Sequence, residues 1–117
     1  MSGAAERSWH GGGCHCGAVR FEVRAAREVT LTDCNCSMCS MTGFQHLIVP
    51  QADFRLLQGA DRLTTYTFNR HQGRHMFCRT CGIEPFAMGS IAVINANCLD
   101  DVDPRALTPV HADGRAV

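Results

Sequence analysis

The fold is decided by two short segments of the sequence, Cys14-His15-Cys16-Gly17 and Cys78-Arg79-Thr80-Cys81-Gly82. Each segment holds a pair of cysteines followed by a glycine, which lacks the Cβ that would obstruct the tight turn needed to aim both sulfurs at one ion. Four thiolates in a closed tetrahedron are a usual ligand set for a structural zinc. We therefore expect one structural zinc site, which joins two distant parts of the chain, at Cys14, Cys16, Cys78 and Cys81.

Cysteine is unusually dense in this chain, with 8 cysteines in 117 residues. The N-terminal residues contain no apolar segment typical of a secretory signal, so we expect a reducing, cytoplasmic location. In such a compartment dense cysteine indicates metal binding before disulfides. Four disulfides are the alternative, but neighbours such as Cys14 and Cys16 are poorly spaced to bridge each other.

A third segment, Cys34-Asn35-Cys36-Ser37-Met38-Cys39, supplies three sulfurs from one loop. Three protein ligands leave a position of zinc open, as in catalytic sites. An open zinc can hold a thiol as its thiolate or polarise a carbonyl. We predict a second zinc at Cys34, Cys36 and Cys39, with Asn35 and Ser37 placed to hydrogen-bond a ligand or the sulfurs.

That second site has two alternatives. It is a closed structural site if Cys98, His46 or His75 supplies a fourth ligand in place of water. An iron–sulfur or rubredoxin-type iron site is the other alternative, although such sites usually need four cysteines in other spacings.

The strand pattern surrounds these cysteine groups. Val19, Phe21 and Val23 alternate with charged residues, which is typical of a half-buried strand. Further strand-like runs lie at residues 29–34, 44–49, 63–68, 75–77, 83–87 and 91–96, and residues 54–57 suit either a strand or a helical turn. With no long amphipathic helix, the pattern predicts one all-β domain over residues 10–117, after a flexible arm over residues 1–9, with an irregular tail from residue 100.

Charge and hydropathy exclude two classes of function. The formal net charge is +0 and the arginines are scattered, so we expect no nucleic-acid partner. No run approaches the roughly 20 apolar residues that span a bilayer, so we expect no membrane partner. A small polar cluster at Arg70, His71 and Arg74 fits a solvated turn better than a carboxylate-binding site.

These motifs together resemble the glutathione-dependent formaldehyde-activating enzymes, a family that includes the centromere protein V type of domain. The resemblance covers residues 10–103 and keeps all three cysteine groups in family order, with further matches at Gly43-Phe44 and Ile94-Asn95. It implies the all-β zinc fold called the β-tent, a structural zinc at the four-cysteine set and a catalytic zinc at Cys34, Cys36 and Cys39. It also implies a carbon–sulfur lyase that adds the glutathione thiol to formaldehyde.

The sequence therefore predicts a protein with two zinc ions per chain that acts on a glutathione-like thiol and a small aldehyde, or on their adduct. The alternative is a non-catalytic interaction module in which both zinc ions are structural.

Overall fold

Two β-sheets make up the fold in a computed structural model, which describes residues 7–34, 37–67, 73–107 and 110–112. The three-stranded sheet has the order β1 (Arg7–Gly13), β2 (Arg20–Ala26), β5 (Phe54–Gln58). The seven-stranded sheet has the order β10 (Val110–Ala112), β3 (Thr32–Cys34), β4 (His46–Val49), β9 (Ala92–Asn95), β8 (Phe86–Met88), β7 (Arg74–Cys78), β6 (Leu63–Tyr66). A single α-helix, α1 (Ser37–Thr42), lies among these described elements. The prediction of an all-β domain is confirmed, and no helix in the described ranges is long and apolar enough to cross a membrane.

Strand pairing is antiparallel in both sheets except at one edge. β1 pairs with β2 along its whole length, from Arg7 opposite Ala26 to Gly13 opposite Arg20. β10 runs parallel to β3 at the edge of the larger sheet. Because β3 ends at Cys34, this edge leads directly into the three-cysteine segment.

The core lies between the two sheets and is centred on three phenylalanines. Phe21 on β2 and Phe54 on β5 come from the smaller sheet, whereas Phe86 on β8 comes from the larger one. Their ring centroids lie 4.8 to 5.9 Å apart in tilted and edge-on arrangements, which are the favoured geometries for aromatic pairs. The alternation predicted around Phe21 is confirmed, since Val19, Phe21 and Val23 are all fully buried.

One buried carboxylate ties the strands of the smaller sheet together. Asp53 ends the short 3-10 turn before β5, and its side chain is only 5% exposed. Arg24 on β2 donates two hydrogen bonds to Asp53 Oδ1, at 2.8 and 3.0 Å, and Arg7 on β1 pairs with Oδ2. Two cations on one carboxylate offset the penalty of burying its charge.

Both ends of the chain differ from the sequence-based expectation. The sequence predicted a flexible arm over residues 1–9 and an irregular tail from residue 100. The structure has a strand in each region, because β1 begins at Arg7 and β10 covers Val110–Ala112. Residues 1–6 and 113–117 lie outside the described residues. The predicted run at residues 29–34 is a strand only over its last three residues, β3.

Candidate metal centre and cavity

Four cysteine sulfurs meet where the turn between β1 and β2 approaches the end of β7. The Sγ atoms of Cys14, Cys16, Cys78 and Cys81 all lie within 4.8 Å of one another. Cys14 Sγ lies 3.6 Å from Cys16 Sγ, which in turn lies 3.7 Å from Cys78 Sγ. The structure therefore brings together the four residues that the sequence predicted as one ligand set.

The first cysteine pair sits in a tight turn between β1 and β2. Cys14 N–H donates to the Val19 carbonyl at 3.1 Å, and Gly17 N–H donates to the Cys14 carbonyl at 3.2 Å. Gly17 closes this turn with a φ of +83°, in the left-handed region that favours glycine. Val19 N–H also donates to Cys14 Sγ, at 3.3 Å.

The second pair repeats this design at the end of β7. Gly82 N–H donates to the Cys78 carbonyl at 2.7 Å, and Cys78 N–H donates to the Ile83 carbonyl at 2.9 Å. Gly82 has a φ of +80°, so the glycine that follows each cysteine pair has the same structural role. Arg79 N–H donates to the Arg62 carbonyl, which links this turn to the residue before β6.

The pKa values of two thiols in the cluster shift in opposite directions. A backbone hydrogen bond at Cys81 is the main cause that lowers the pKa of Cys78 to about 6. A backbone hydrogen bond at Ala18 lowers the pKa of Cys16. Desolvation and hydrogen bonds with the neighbouring thiols outweigh it and raise this pKa to about 11. Adjacent thiolates repel one another, and a cation among them would favour the charged form of all four.

The sulfur geometry fits one tetrahedral metal ion. A zinc–sulfur bond of about 2.3 Å places tetrahedral sulfurs about 3.8 Å apart. The measured separations of 3.6 and 3.7 Å are close to that edge length. A four-cysteine cluster that could hold a metal ion is therefore present, and its sulfur set is one that zinc accepts.

A cavity of about 330 Å³ opens against α1, the helix that carries Cys39. Its volume lies at the lower end of the range for small-molecule sites, about 300–1,000 Å³. The apolar part of its wall consists of Met38, Phe44, Ala87, Met88, Ile91 and Val93. Polar side chains enter at Thr42, His46, His75, Glu84 and Ser90. Among the described residues that line it, none carries a permanent positive charge.

Glu84 places a buried carboxylate in this cavity wall. Its side chain is 7% exposed, and its Oε2 lies 2.7 Å from His75 Nδ1. Its Oε1 is buried without a hydrogen-bond partner in the described part of the chain. Leaving a buried acceptor unpaired costs about 1–3 kcal/mol, so this oxygen is an exception to the pairing that is usual for buried polar atoms.

The main chain at Glu84 is held from the neighbouring strand. Asn95 at the end of β9 donates from Nδ2 to the Glu84 carbonyl at 2.9 Å, and Asn95 N–H donates to the Pro85 carbonyl at 2.9 Å. Pro85 is itself among the fully buried residues. The carboxylate is therefore fixed from both its backbone and its side chain.

Comparison with known proteins places these features in a family. Residues 9–113 match the family described as glutathione-dependent formaldehyde-activating enzyme. The chain belongs to this family. The crystal structure of a Rhodobacter sphaeroides protein superposes with a TM-score of 0.76 at 34% identity, covering 86% of this chain and 97% of that one.

A curated relative is also similar over part of its length. A Halomonas elongata protein, named provisionally as a glutathione-dependent formaldehyde-activating enzyme, is 32% identical over 78 residues. That match covers 60% of this chain and 50% of the relative, so the chain spans about half the length of the curated relative.

The three-cysteine segment of this family member falls largely outside the described residues. Asn35 and Cys36 are not described, and for Cys34, Ser37 and Cys39 only the backbone placement is given. Cys34 ends β3, while Ser37 and Cys39 belong to α1. The second zinc site therefore stays a prediction, as does the part of Asn35 and Ser37 in it.

Cys98 lies apart from the four-cysteine set. It ends a short 3-10 turn, and its Sγ lies 4.0 Å from the Glu84 carbonyl oxygen. Burial raises the pKa of its thiol to about 12, so it is protonated near neutral pH and is a weak nucleophile. Cys98 and the four clustered cysteines are all free thiols.

Glu84 was not predicted as a site residue, and His75 was predicted only as a possible metal ligand. The sequence contains one indication of Glu84, because a carboxylate stands inside the apolar run Ile83-Glu84-Pro85-Phe86. Phe44 is a buried hydrophobic residue that also forms part of the cavity wall. Arg74 is exposed at the start of β7, and Arg70 and His71 lie outside the described residues.

Proposed function

We propose that this chain is a zinc-dependent enzyme that makes or breaks the carbon–sulfur bond between a thiol and a small aldehyde. The observation that supports this most is the cavity of about 330 Å³ against α1, the helix that carries Cys39. A cavity of this size beside the three-cysteine segment suits small organic reactants. The family adds the chemistry, since its name refers to the activation of formaldehyde.

We further propose that the protein binds two zinc ions in a reducing cytoplasm. The four clustered sulfurs hold the structural ion, and Cys34, Cys36 and Cys39 hold the second. When bound, the second ion favours the thiolate form of an incoming thiol near neutral pH. The apolar walls at Phe44, Met88 and Val93 exclude water, which strengthens polar interactions with the bound reactants.

The test is the exchange rate between formaldehyde, a thiol and their adduct, measured by NMR exchange spectroscopy on the zinc-loaded protein. The expected result is a rate above the uncatalysed one that falls by at least about 100-fold in Cys36→Ser, because a zinc ligand is lost. Met41→Ala is the matched control on α1, since Met41 is 87% exposed. Full activity in a folded Cys36→Ser variant would contradict the proposal.

Metal counting separates the enzyme from an interaction module. Elemental analysis before and after brief exposure to a chelator should show two zinc ions falling to one, because a site open to solvent exchanges faster than a closed one. Two ions that are both retained, together with no exchange activity, would favour the non-catalytic module. Cys98→Ser identifies the fourth ligand, since loss of the second ion in that variant assigns it to Cys98.

A further inference from the structure

We propose that the four-cysteine cluster is also a modification site, at which hydrogen peroxide converts Cys16 and Cys78 into a disulfide and the metal ion is released. This inference rests on the structural ion of the proposed function and adds a reaction of that ion's own ligands. Two observations carry it, the unequal exposure of the four cysteines and the short separation of the Cys16 and Cys78 sulfurs.

The first step concerns access to the cluster. Cys16 is its one exposed member, whereas Cys14 and Cys78 are buried. Cys16 lies at the tip of the turn between β1 and β2, where His15 and Gly17 on either side are also exposed. A Cβ added at Gly17 would meet no atom within 4 Å, so this tip projects from the surface. An oxidant in solution therefore meets Cys16 before the buried cysteines.

The cysteine turns lie away from the nearest segments outside the described structure. Residues 1–6 precede β1 and residues 68–72 precede β7, so each segment joins its strand at the end opposite to the cysteines. At about 3.3 Å per residue, those ends are about 20 Å and about 13 Å from the cysteine ends. The exposure of Cys16 is thus set by the turn itself and by β1 and β2, which are all described.

The second step concerns the partner of Cys16 in the disulfide. Cys14 Sγ and Cys78 Sγ lie 3.6 and 3.7 Å from Cys16 Sγ. A disulfide bond requires its own set of distances and a dihedral angle near 90°, which two cysteines separated by one residue meet poorly. Cys78 belongs to the other sheet and is free of that restriction. Cys78 is therefore the partner that the geometry favours.

The third step follows the bonds. The ion favours the thiolate form of Cys16, and this sulfur attacks one oxygen of the peroxide. The S–O bond forms, the O–O bond breaks, and hydroxide leaves with the electron pair of that bond. The Cys78 thiolate then attacks the Cys16 sulfur, so the S–S bond forms, the S–O bond breaks and a second hydroxide leaves. Two thiolates lose two electrons in total, and one peroxide molecule becomes two hydroxide ions.

The fourth step concerns the state of the oxidised protein. The ion retains only two of its four thiolates, so its affinity falls and it dissociates. The new bond joins the turn before β2 to the end of β7, and it spans 62 residues of sequence between Cys16 and Cys78. The two sheets therefore stay crosslinked after the metal has left. A thiol reductant reverses the reaction by exchange and restores the ligand set.

The first experiment maps the disulfide in the zinc-loaded protein after peroxide treatment. The chain has no lysine, and Arg79 lies between the two cysteines of the second pair, so trypsin separates the candidate pairings. The expected product links peptide 8–20 to peptide 75–79, and its fragment spectra should place the bond at Cys16. A bridge from peptide 75–79 to peptide 80–105, a bridge within peptide 8–20, or no bridge would overturn the proposal.

The second experiment identifies the cysteine that reacts first and uses the wild-type protein. Dimedone traps sulfenic acids, and during brief exposure to peroxide it should label Cys16 about tenfold more than Cys14 or Cys78, because accessible thiolates oxidise first. Cys98→Ser is the matched control, since Cys98 lies outside the cluster, and it should leave the labelling of Cys16 unchanged. Equal labelling of the three cysteines, or no label on Cys16, would contradict its role as the point of entry.

The third experiment follows the metal and the stability. In Cys36→Ser, which lacks a ligand of the proposed second site, a chromogenic chelator should detect about one zinc released for each linked peptide pair. The oxidised protein should have a higher thermal midpoint than the reduced, metal-free protein, because the crosslink between the sheets persists. Equal midpoints, or a linked pair without metal release, would refute the fourth step.

These readouts distinguish the inference from the proposed function. If zinc-loaded Cys36→Ser holds no ion, the structural ion of the proposed function fails and metal release fails with it, while the peptide map still decides whether the disulfide forms. If the ion is bound and the cluster keeps all four thiols in peroxide, the inference fails and the proposed function stands.

Discussion

Gly17 and Gly82 hold the two cysteine turns in the left-handed region of backbone conformation, at φ values of +83° and +80°. A Cβ added at either position would meet no atom within 4 Å, so only backbone strain opposes a larger residue. We expect Gly82→Ala to lower the free energy of unfolding by about 1–2 kcal/mol, measured by denaturant titration of the metal-loaded protein. The matched control is Gly73→Ala, where space is equally open and φ lies outside that region. Equal effects of the two substitutions would contradict the strain argument.

Asp53 gives the protein a predictable response to acid. Hydrogen bonds from Arg24, followed by those from Arg7, hold the pKa of this carboxyl below its usual range in the folded state. Because the pKa of this carboxyl is lower in the folded than in the unfolded state, the ionised group stabilises the fold at pH values above its unfolded-state pKa of about 3.9. This stabilisation is lost as the pH falls through the folded-state pKa. Asp53→Asn should therefore lower the thermal midpoint at pH 7, and the difference from wild type should shrink below about pH 4. Asp61→Asn, at an exposed position, serves as the control for adding an amide.

Among the elements, the strands that alternate in polarity or lie in clear apolar runs were predictable from the sequence, whereas β1 and β10 were not. The triple glycine at the end of β1 suggests flexibility when it is read locally. In the structure, a Cβ at Gly12 would come within 2.6 Å of the Cys98 carbonyl oxygen, so small residues there permit close approach of a distant segment. β10 has only three residues, too few for a periodic pattern to show.

The candidate site, like the strands, was predicted from the sequence only in part. Cysteine spacing is a local property of the chain, so it predicted the four-sulfur cluster correctly. The pair formed by His75 and Glu84 depends on the packing of β7 against the segment before β8, where strand register brings His75 opposite Ala87. No local pattern contains that register, because β-sheet pairing is set by tertiary contacts.

The short strand β8 places one fully buried aromatic side chain in the core. Phe86 is 1% exposed and its ring contacts both Phe21 and Phe54 from the other sheet. We expect Phe86→Ala to lower the free energy of unfolding by about 3–5 kcal/mol, because it removes a buried ring and leaves a void. Phe77→Ala on the neighbouring strand should lower it less, since Phe77 is only half-buried. If Phe86→Ala and Phe77→Ala lowered the free energy of unfolding equally, the placement of Phe86 in the core would be contradicted.

At the scale of the whole molecule, the four sulfurs connect the two sheets. Cys14 and Cys16 follow β1 of the smaller sheet, whereas Cys78 ends β7 of the larger one, and Cys16 and Cys78 are 62 residues apart in sequence. By a loop-closure estimate, a crosslink of that span is worth about 4 kcal/mol. Complete metal removal should therefore lower the thermal midpoint of the entire fold in one cooperative transition.

The same connection predicts how single ligand variants behave. Cys81→Ser should lose the ion proposed for the cluster and show the lowered midpoint even without a chelator. Cys98→Ser should change the midpoint far less, because Cys98 lies outside the cluster. Calorimetry of the three proteins tests this, and a normal midpoint for Cys81→Ser would mean that the cluster does not stabilise the fold.

The cavity has a consequence for how such proteins diversify. Of the side chains that line it, only Met88 also packs against the hydrophobic core cluster in the described chain, and none is one of the four clustered sulfurs. Mutations that alter the lining therefore leave the main sources of stability largely in place. A duplicated gene could change its preferred reactant in a few substitutions at Ile91 or Val93, while its product continued to fold. Paralogues that share the cysteine framework should then differ most in which small molecules they accept.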